Sequence, residues 1–389
     1  LRNLCILGST GSIGENTLDV ISRHPDMFKV RALTANTQVE KLAKQCHQFQ
    51  PDIVVVANSQ LANQLKDLIN IKVTRVLFGQ EGLIEAATYH HVDTVMAAIV
   101  GAAGLLPTLE AAKLGKRILL ANKEALVIAG QLLMDVIAKS KSELLPIDSE
   151  HNAIYQCLQT SQTGNLNEVE ELLLTASGGP FLNRPIETLD TVSPDEACAH
   201  PNWVMGRKIS VDSSTMVNKG LELIEAIWLF KIPQERIQIV IHPQSVIHSL
   251  VRYVDGSVLA QLGEPDMRTP IAYGLAWPNR IDSGVKKLDM MKLTELNFRA
   301  ADVVRFPAIP LAREAARLKG TAPAIFNAAN EIAVASFLNQ EILYTQIVQT
   351  IDNVLNEISS EPASSLELVL EIDHLAREKA KEFIKRISN

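Results

Sequence analysis

Residues 4–14 read LCILGSTGSIG, an apolar run from Leu4 to Leu7 that passes straight into Gly8, Gly11 and Gly14. The spacing is G-x-x-G-x-x-G rather than the commoner G-x-G-x-x-G. A strand that turns on glycines into a helix lets the backbone close on a pyrophosphate, which the free amides of the helix N-terminus then hold. The same glycines would also serve a tight turn without ligand. Their strand–turn–helix context favours the nucleotide reading.

Outward from this motif, short apolar runs alternate with stretches of helical spacing as far as Pro146. NLCIL, VRAL, DIVVV, RVLF, TVMAA, RILLA and ELLP read as buried strands. Such alternation implies crossover connections and a parallel, doubly wound sheet with ligands beyond the carboxyl ends of its strands. The pattern then changes. EELLLTASGGPF (170–181) reads as a strand entering a glycine-rich loop, KISV (208–211) as another strand, and QSVIHSLVRYVDGSVLAQLG (244–263) as a hairpin turning at Asp255-Gly256. Prolines and polar residues break any period between Trp277 and Pro310, and three amphipathic stretches follow. We therefore expect an α/β protein with a Rossmann-like nucleotide domain (1–148), a central α+β domain (149–280), a linker (281–310) and a C-terminal helical domain (311–389).

The 389 residues carry a formal charge of -7 and only 5% aromatics, which leaves neither a basic excess for phosphate backbones nor rings for base stacking. No nucleic-acid partner is expected. Cys5, Cys46, Cys157 and Cys198 show no paired spacing, as suits a reducing cytoplasm. The apolar stretch Val92–Leu106 is too short and glycine-broken to span a bilayer, so no membrane partner is expected.

An acid at the end of the second strand would mark NAD. Here ALTANTQVEK has none before Glu40, which favours NADP, with Asn36, Thr37 and Lys41 left to grip its 2′-phosphate. In LLANKEALV, Lys123 sits in a first helical turn against the helix dipole, and an anionic ligand, the carboxylates after the next strand or a surface pair with Glu124 would account for it. In KISVDSSTMVNKGLELIEAIWLF, Asn218, Lys219 and Glu222 share a helix face. Ser213, Asn218 and Lys219 make a phosphate cradle of hydroxyl, amide and ammonium donors, with Glu222 one turn further on; alternatively Lys219 and Glu222 form a solvated pair.

PIDSEHNA (146–153) sets Asp148 and Glu150 either side of Ser149 where a strand ends. Asp148 could simply cap the following helix. Together with Glu222, however, the two carboxylates offer oxygen ligands without Cys or paired His, which suits Mg²⁺ or Mn²⁺ and relieves their repulsion. HPNWVMGRK (200–208) has the composition of a lid around His200 and Trp203, although a loop Trp also serves as a packing anchor. His242 and His248 read as structural.

With these blocks assembled, the chain resembles the 1-deoxy-D-xylulose 5-phosphate reductoisomerase family of the non-mevalonate isoprenoid route over essentially its whole length. GSTGSIG, LLANKEAL, PIDSEHNA, ASGGPF, HPNWVMGRKISVDSSTMVNKGLE and HPQSVIHS stand in that family's order. The resemblance implies NADPH near Thr10, Gly11, Ser12, Ile13, Asn122, Glu124 and Gly206. It implies a sugar-phosphate substrate touched by Lys123, Ser149, Glu150, Ser177, His200, Ser213, Asn218, Lys219 and Glu222, with the loop of Trp203 closing over it. It further implies Mg²⁺ or Mn²⁺ on Asp148, Glu150 and Glu222, catalytic roles for Lys123, Glu150 and Glu222, and a V-shaped homodimer. Thr37 stands where many members carry a basic residue. Two rival functions are a metal-free NADP-dependent dehydrogenase, which would stay active in chelator, and a non-catalytic NADP-binding sensor, which would bind NADPH without turnover.

Overall fold

A computed structural model describes residues 1–158, 166–203 and 205–388. Seven strands form one parallel sheet: β1 (Arg2–Leu7), β2 (Phe28–Thr34), β3 (Ile53–Val56), β4 (Arg75–Phe78), β5 (Thr94–Ala97), β6 (Arg117–Leu120) and β7 (Leu144–Pro146), in the order β4-β3-β2-β1-β5-β6-β7. These are the seven runs read from the alternation. The central strands are largely apolar because helices cover both faces of a parallel sheet: Leu4 to Leu7 are completely buried, whereas β2 leaves Lys29 exposed and the edge strand β4 has no fully buried residue. Pro146 is tolerated because β7 has a neighbour on one side only. The strand order reverses between β1 and β5, and the glycine loop leaves β1 at that switch point.

A second sheet contains β8 (Val169–Ala176), β9 (Ile237–Ile241), β10 (Ile247–Tyr253), β11 (Val258–Leu262) and the short β12 (Arg299–Ala300), ordered β11-β10-β8-β9-β12. β10 and β11 form the expected hairpin, with Gly256 at φ 88. One expectation fails. KISV is not a strand but lies in the helix Arg207–Thr215, which passes through Met216 at φ 63 into the helix Val217–Phe230. β-branched and hydroxyl residues disfavour helix mainly by losing rotamers or competing for backbone bonds. Here the hydroxyls bond within the helix: Ser210 Oγ donates to Gly206 O, and Ser214 Oγ and Thr215 Oγ1 to Val211 O.

The helices Ala308–Leu318, Ala322–Leu338, Gln346–Glu357 and Leu366–Ile387 share one apolar core with the second sheet, from Leu172 and Leu174 to Phe326 and Phe337. Each such large side chain stabilises the fold by about 1.5–3 kcal/mol on burial. Backbone proximity gathers the chain into two compact units: residues 1–125, 133–152 and 266–286, and residues 126–132, 153–265 and 287–389. Asp266–Lys286 thus lies with the nucleotide-binding sheet, where Arg2 donates to Leu275 O and Trp277 O at 2.7 and 2.6 Å. Among the described residues, no helix is long and apolar enough to cross a membrane.

Candidate active site

In the first unit the three glycines do different work. Gly8 has φ +85, and a Cβ there would lie 2.8 Å from Ala98 O. A Cβ on Gly14 would lie 2.4 Å from both Gly8 O and Ser9 Cα, so Gly14 allows the helix Ser12–Arg23 to approach the loop. Gly11 is required by neither constraint: its φ is -82 and a Cβ would sit 3.5 Å from its nearest neighbour, Gly8 O. Gly11 is also the N-cap and makes no side-chain cap, leaving the amides of Ser12 and Ile13 at an open helix start. A smooth surface at Gly11 is what a close phosphate needs and what a mere turn does not.

The loop is braced by residues that sequence reading passed over. Thr34 Oγ1 accepts from the Gly8 amide at 2.8 Å; Ser9 Oγ donates to Gln45 Oε1 at 2.7 Å, and Gln45 Nε2 returns a bond to Ser9 O. Gln45 is buried inside an otherwise apolar helix stripe, and that misfit is the one local signal it offers. Lys41 Nζ reaches Thr10 O and Glu15 Oε1, each at 2.8 Å.

Asn122 precedes the helix beginning at Lys123, and its Nδ2 donates to Gly101 O at 3.0 Å. Its Oδ1 is buried with no hydrogen-bond partner among the described residues. Glu124 is buried in the first turn. Lys123 is buried as well, and its ammonium pairs with Asp148 Oδ2, so the surface-pair reading of Lys123 fails. Burial by itself would raise the Asp148 carboxyl. The Lys123 ammonium and His151 outweigh it and hold the group well below the ordinary carboxylate range. Asp148 Oδ1 lies 3.6 Å from His151 Nδ1 and has no hydrogen-bond partner among the described residues, while Asp148 O accepts from the Asn152 amide at the start of the next helix. A buried, ionised oxygen without a donor is a ready ligand for a hard cation. Beside it, Ser149 Oγ donates to Glu150 Oε2 at 2.6 Å.

In the second unit, Ser177 follows β8, and Gly178 and Gly179 take φ +85 and +68. A Cβ on Gly179 would lie 2.9 Å from Ser214 Cα, so this loop runs hard against the helix Arg207–Thr215. Ser177 Oγ lies 2.9 Å from His200 Nε2 and accepts from the Gly179 amide at 3.1 Å. The tautomer of His200 follows from its other partners. Nδ1 accepts from the amides of Asn202 and Trp203 at 3.1 and 3.0 Å, which places the ring proton on Nε2, pointing at Ser177. Burial pushes His200 down to about 4, so the ring is neutral near pH 7. Ser177, taking two donors, directs its own proton elsewhere.

Trp203 is half-buried, its ring 6.0 Å from that of His248, and the exposed Gly206 opens the next helix. Asn202 Nδ2 ties the loop to Pro243 O and Ser245 Oγ. His242 is structural as expected: Nδ1 faces Asn297 O and Nε2 accepts two backbone amides.

Ser213 is half-buried in the last turn of Arg207–Thr215. Five residues on, Asn218 Nδ2 donates to Glu222 Oε1 at 2.6 Å and the Lys219 ammonium pairs with Glu222 Oε2. Lys219 and Glu222 are 4% and 1% exposed, so the pair is not the solvated one of the bland reading. A buried pair returns little net stability for its desolvation. Its presence points instead to a charged partner brought to it.

Comparison with known proteins agrees along the whole chain. The 1-deoxy-D-xylulose 5-phosphate reductoisomerase family matches residues 4–130, its C-terminal domain residues 144–230, and the DXP reductoisomerase C-terminal domain residues 262–379. A 1-deoxy-D-xylulose 5-phosphate reductoisomerase of Ralstonia nicotianae is 56% identical over 99% of this chain and 98% of its own. One from Nitrosomonas eutropha is 56% identical over 99% of this chain and 94% of its own. Among solved structures, the Zymomonas mobilis enzyme in complex with NADPH has a TM-score of 0.92 at 46% identity, covering 98% of both chains. A DOX-P reductoisomerase in complex with NADPH, fosmidomycin and magnesium has 0.93 at 48%, covering 100% of both. The glycine loop, the site carboxylates and the His200–Ser177 pair therefore stand in a chain that belongs to the 1-deoxy-D-xylulose 5-phosphate reductoisomerase family.

Proposed function

We propose that this chain converts 1-deoxy-D-xylulose 5-phosphate to 2-C-methyl-D-erythritol 4-phosphate, rearranging the carbon skeleton to an aldehyde and reducing it, with NADPH and a divalent cation. The observation that carries the reading is the Asp148 carboxylate, ionised beside the buried Lys123, with a buried Oδ1 that has no donor among the described residues. Asp148, Glu150 and Glu222 would hold Mg²⁺ or Mn²⁺. When bound, the cation supplies Lewis-acid polarisation of substrate oxygens and NADPH supplies the hydride.

The chain's own residues do the rest. Thr10, Gly11, Ser12 and Ile13 hold the cofactor pyrophosphate at the open helix start, with Asn122, Glu124 and Gly206 along the cofactor. Lys123 sets a positive charge beside the reacting oxygens, where it stabilises developing oxyanion character. Neutral His200 donates to Ser177 and so turns the Ser177 hydroxyl proton towards a phosphate oxygen. Ser213, Asn218 and Lys219 complete the phosphate cradle, Ser149 steadies Glu150, and the loop carrying Trp203 excludes water from the reacting centre. We also take the working form to be a cytoplasmic homodimer without a nucleic-acid partner, a reading supported by the family resemblance and the net charge of -7 and checked by mass in solution.

The test is NADPH oxidation with 1-deoxy-D-xylulose 5-phosphate, with Mg²⁺ or Mn²⁺ and in chelator. Turnover only with metal is expected. Full activity in chelator would favour a metal-free dehydrogenase, and tight NADPH binding without turnover a sensor.

A further inference from the structure

Building on the NADPH reading, we infer that Lys41 is the residue that distinguishes NADPH from NADH, with Glu15 as the counter-ion that the 2′-phosphate displaces. The second strand ends without the acid that would bind a free ribose 2′-hydroxyl, and Thr37, just beyond it, carries no charge. A cation tied to the glycine loop is Lys41, in the first turn of the helix Val39–Phe49. Its ammonium has three protons. One is given to Thr10 O in the glycine loop at 2.8 Å and one to Glu15 Oε1 at 2.8 Å, which leaves a third for an incoming anion.

Lys41 lines a cleft of about 920 Å³ with Thr37, Gln38, Lys44, Gln48 and Gln64, so the ammonium, the uncharged Thr37 and a second lysine one turn on border one space. Of the three acids of this wall, Asp19 holds Arg23 and Arg268, Glu15 holds Lys41, and Glu40 is the exposed neighbour of Lys41 in the chain. The Lys41–Glu15 pair is 36% and 50% exposed, and a pair so solvated holds by no more than a weak net attraction. A phosphate carrying nearly two charges outcompetes a single carboxylate for the same ammonium. Thr10 O keeps the ammonium at the loop while the partner changes.

The two members of the pair therefore have opposite signs in a binding test. NADPH and NADH dissociation constants are measured by fluorescence titration, without substrate, for the parent, Lys41→Met, Lys41→Arg and Glu15→Gln. Lys41→Met should lower the NADPH-over-NADH ratio about tenfold, Lys41→Arg should keep it, and Glu15→Gln should raise it about two- to threefold. If Lys41→Met weakens both cofactors equally, Lys41 only props the Thr10 carbonyl and the inference is overturned. A Glu15→Gln ratio at or below the parent's overturns the displacement. A parent that prefers NADH would instead sink the NADPH reading itself, before any variant is compared.

Discussion

The glycine motif admits a sharp test, because its members carry different burdens. In Gly14→Ala the new Cβ would meet Gly8 O and Ser9 Cα at 2.4 Å, so helix or loop must yield by roughly 1 Å to restore an ordinary contact. Neither can yield cheaply. Both obstructing atoms are backbone, and Ser9 is pinned by bonds from its amide to Thr34 O, from its hydroxyl to Gln45 and from Gln45 back to its carbonyl. Overpacking of this kind costs about 1–3 kcal/mol, and the rigid surroundings put Gly14→Ala near the upper end. Gly11→Ala meets nothing closer than 3.5 Å at an ordinary φ, so its stability loss should stay below about 1 kcal/mol, the price of a poorer N-cap. Its methyl would nevertheless stand over the helix start and should weaken NADPH at least about tenfold. Denaturant unfolding and NADPH titration of the two variants, side by side, separate the roles. Gly11→Ala binding NADPH like the parent would show that the glycines merely make a turn, and Gly14→Ala at parental stability would refute the packing argument.

Three further outcomes are expected. Glu222→Gln should need several-fold more Mg²⁺ or Mn²⁺ for half-maximal activity and lose metal-dependent thermal stabilisation; unchanged metal titration would remove Glu222 from the ligand set. Stability alone does not discriminate here, because the variant also strips the buried Lys219 of its counter-charge. For His200 the folded value of about 4 lies below the ordinary 6.5, so the unfolded chain takes up the proton first and stability falls as pH drops from 6.5 towards 4. His200→Gln should remove about 1–2 kcal/mol of that loss, discounted for partial exposure, and a parent-to-variant difference that is the same at pH 7.5 and pH 5 would refute it. Trp203→Ala should cut kcat/KM at least about tenfold while costing less than about 1 kcal/mol of stability; a large drop in Tm with intact turnover would make Trp203 a packing anchor.

Much of this protein was legible in one dimension because the signals are local. Most of the seven parallel strands centre on a short apolar run, since a strand covered on both faces needs no alternation, and the Asp255-Gly256 turn depends on two residues only. The glycine loop announces itself because φ > 0 at Gly8 and close approach at Gly14 exclude any side chain. KISV misled for the complementary reason: intrinsic preference is weak, and packing with internal hydroxyl bonds overrode it to give the helix Arg207–Thr215.

Tertiary structure alone decided what each charge is for. Spacing left Lys123 a choice between Glu124 beside it and the carboxylates after the next strand, and the fold of the sheet settles it by bringing Asp148, just past β7, to the ammonium. Lys219 and Glu222 were correctly adjacent on a helix face, yet only burial shows that water does not solvate them. The proton on His200 Nε2 follows from two amides that close back on Nδ1, and the brace of Ser9 by Gln45 joins residues on different elements. A period along the chain records which side of an element faces the core, whereas a charge is defined by the partner and the dielectric around it, and those exist only once distant segments have met.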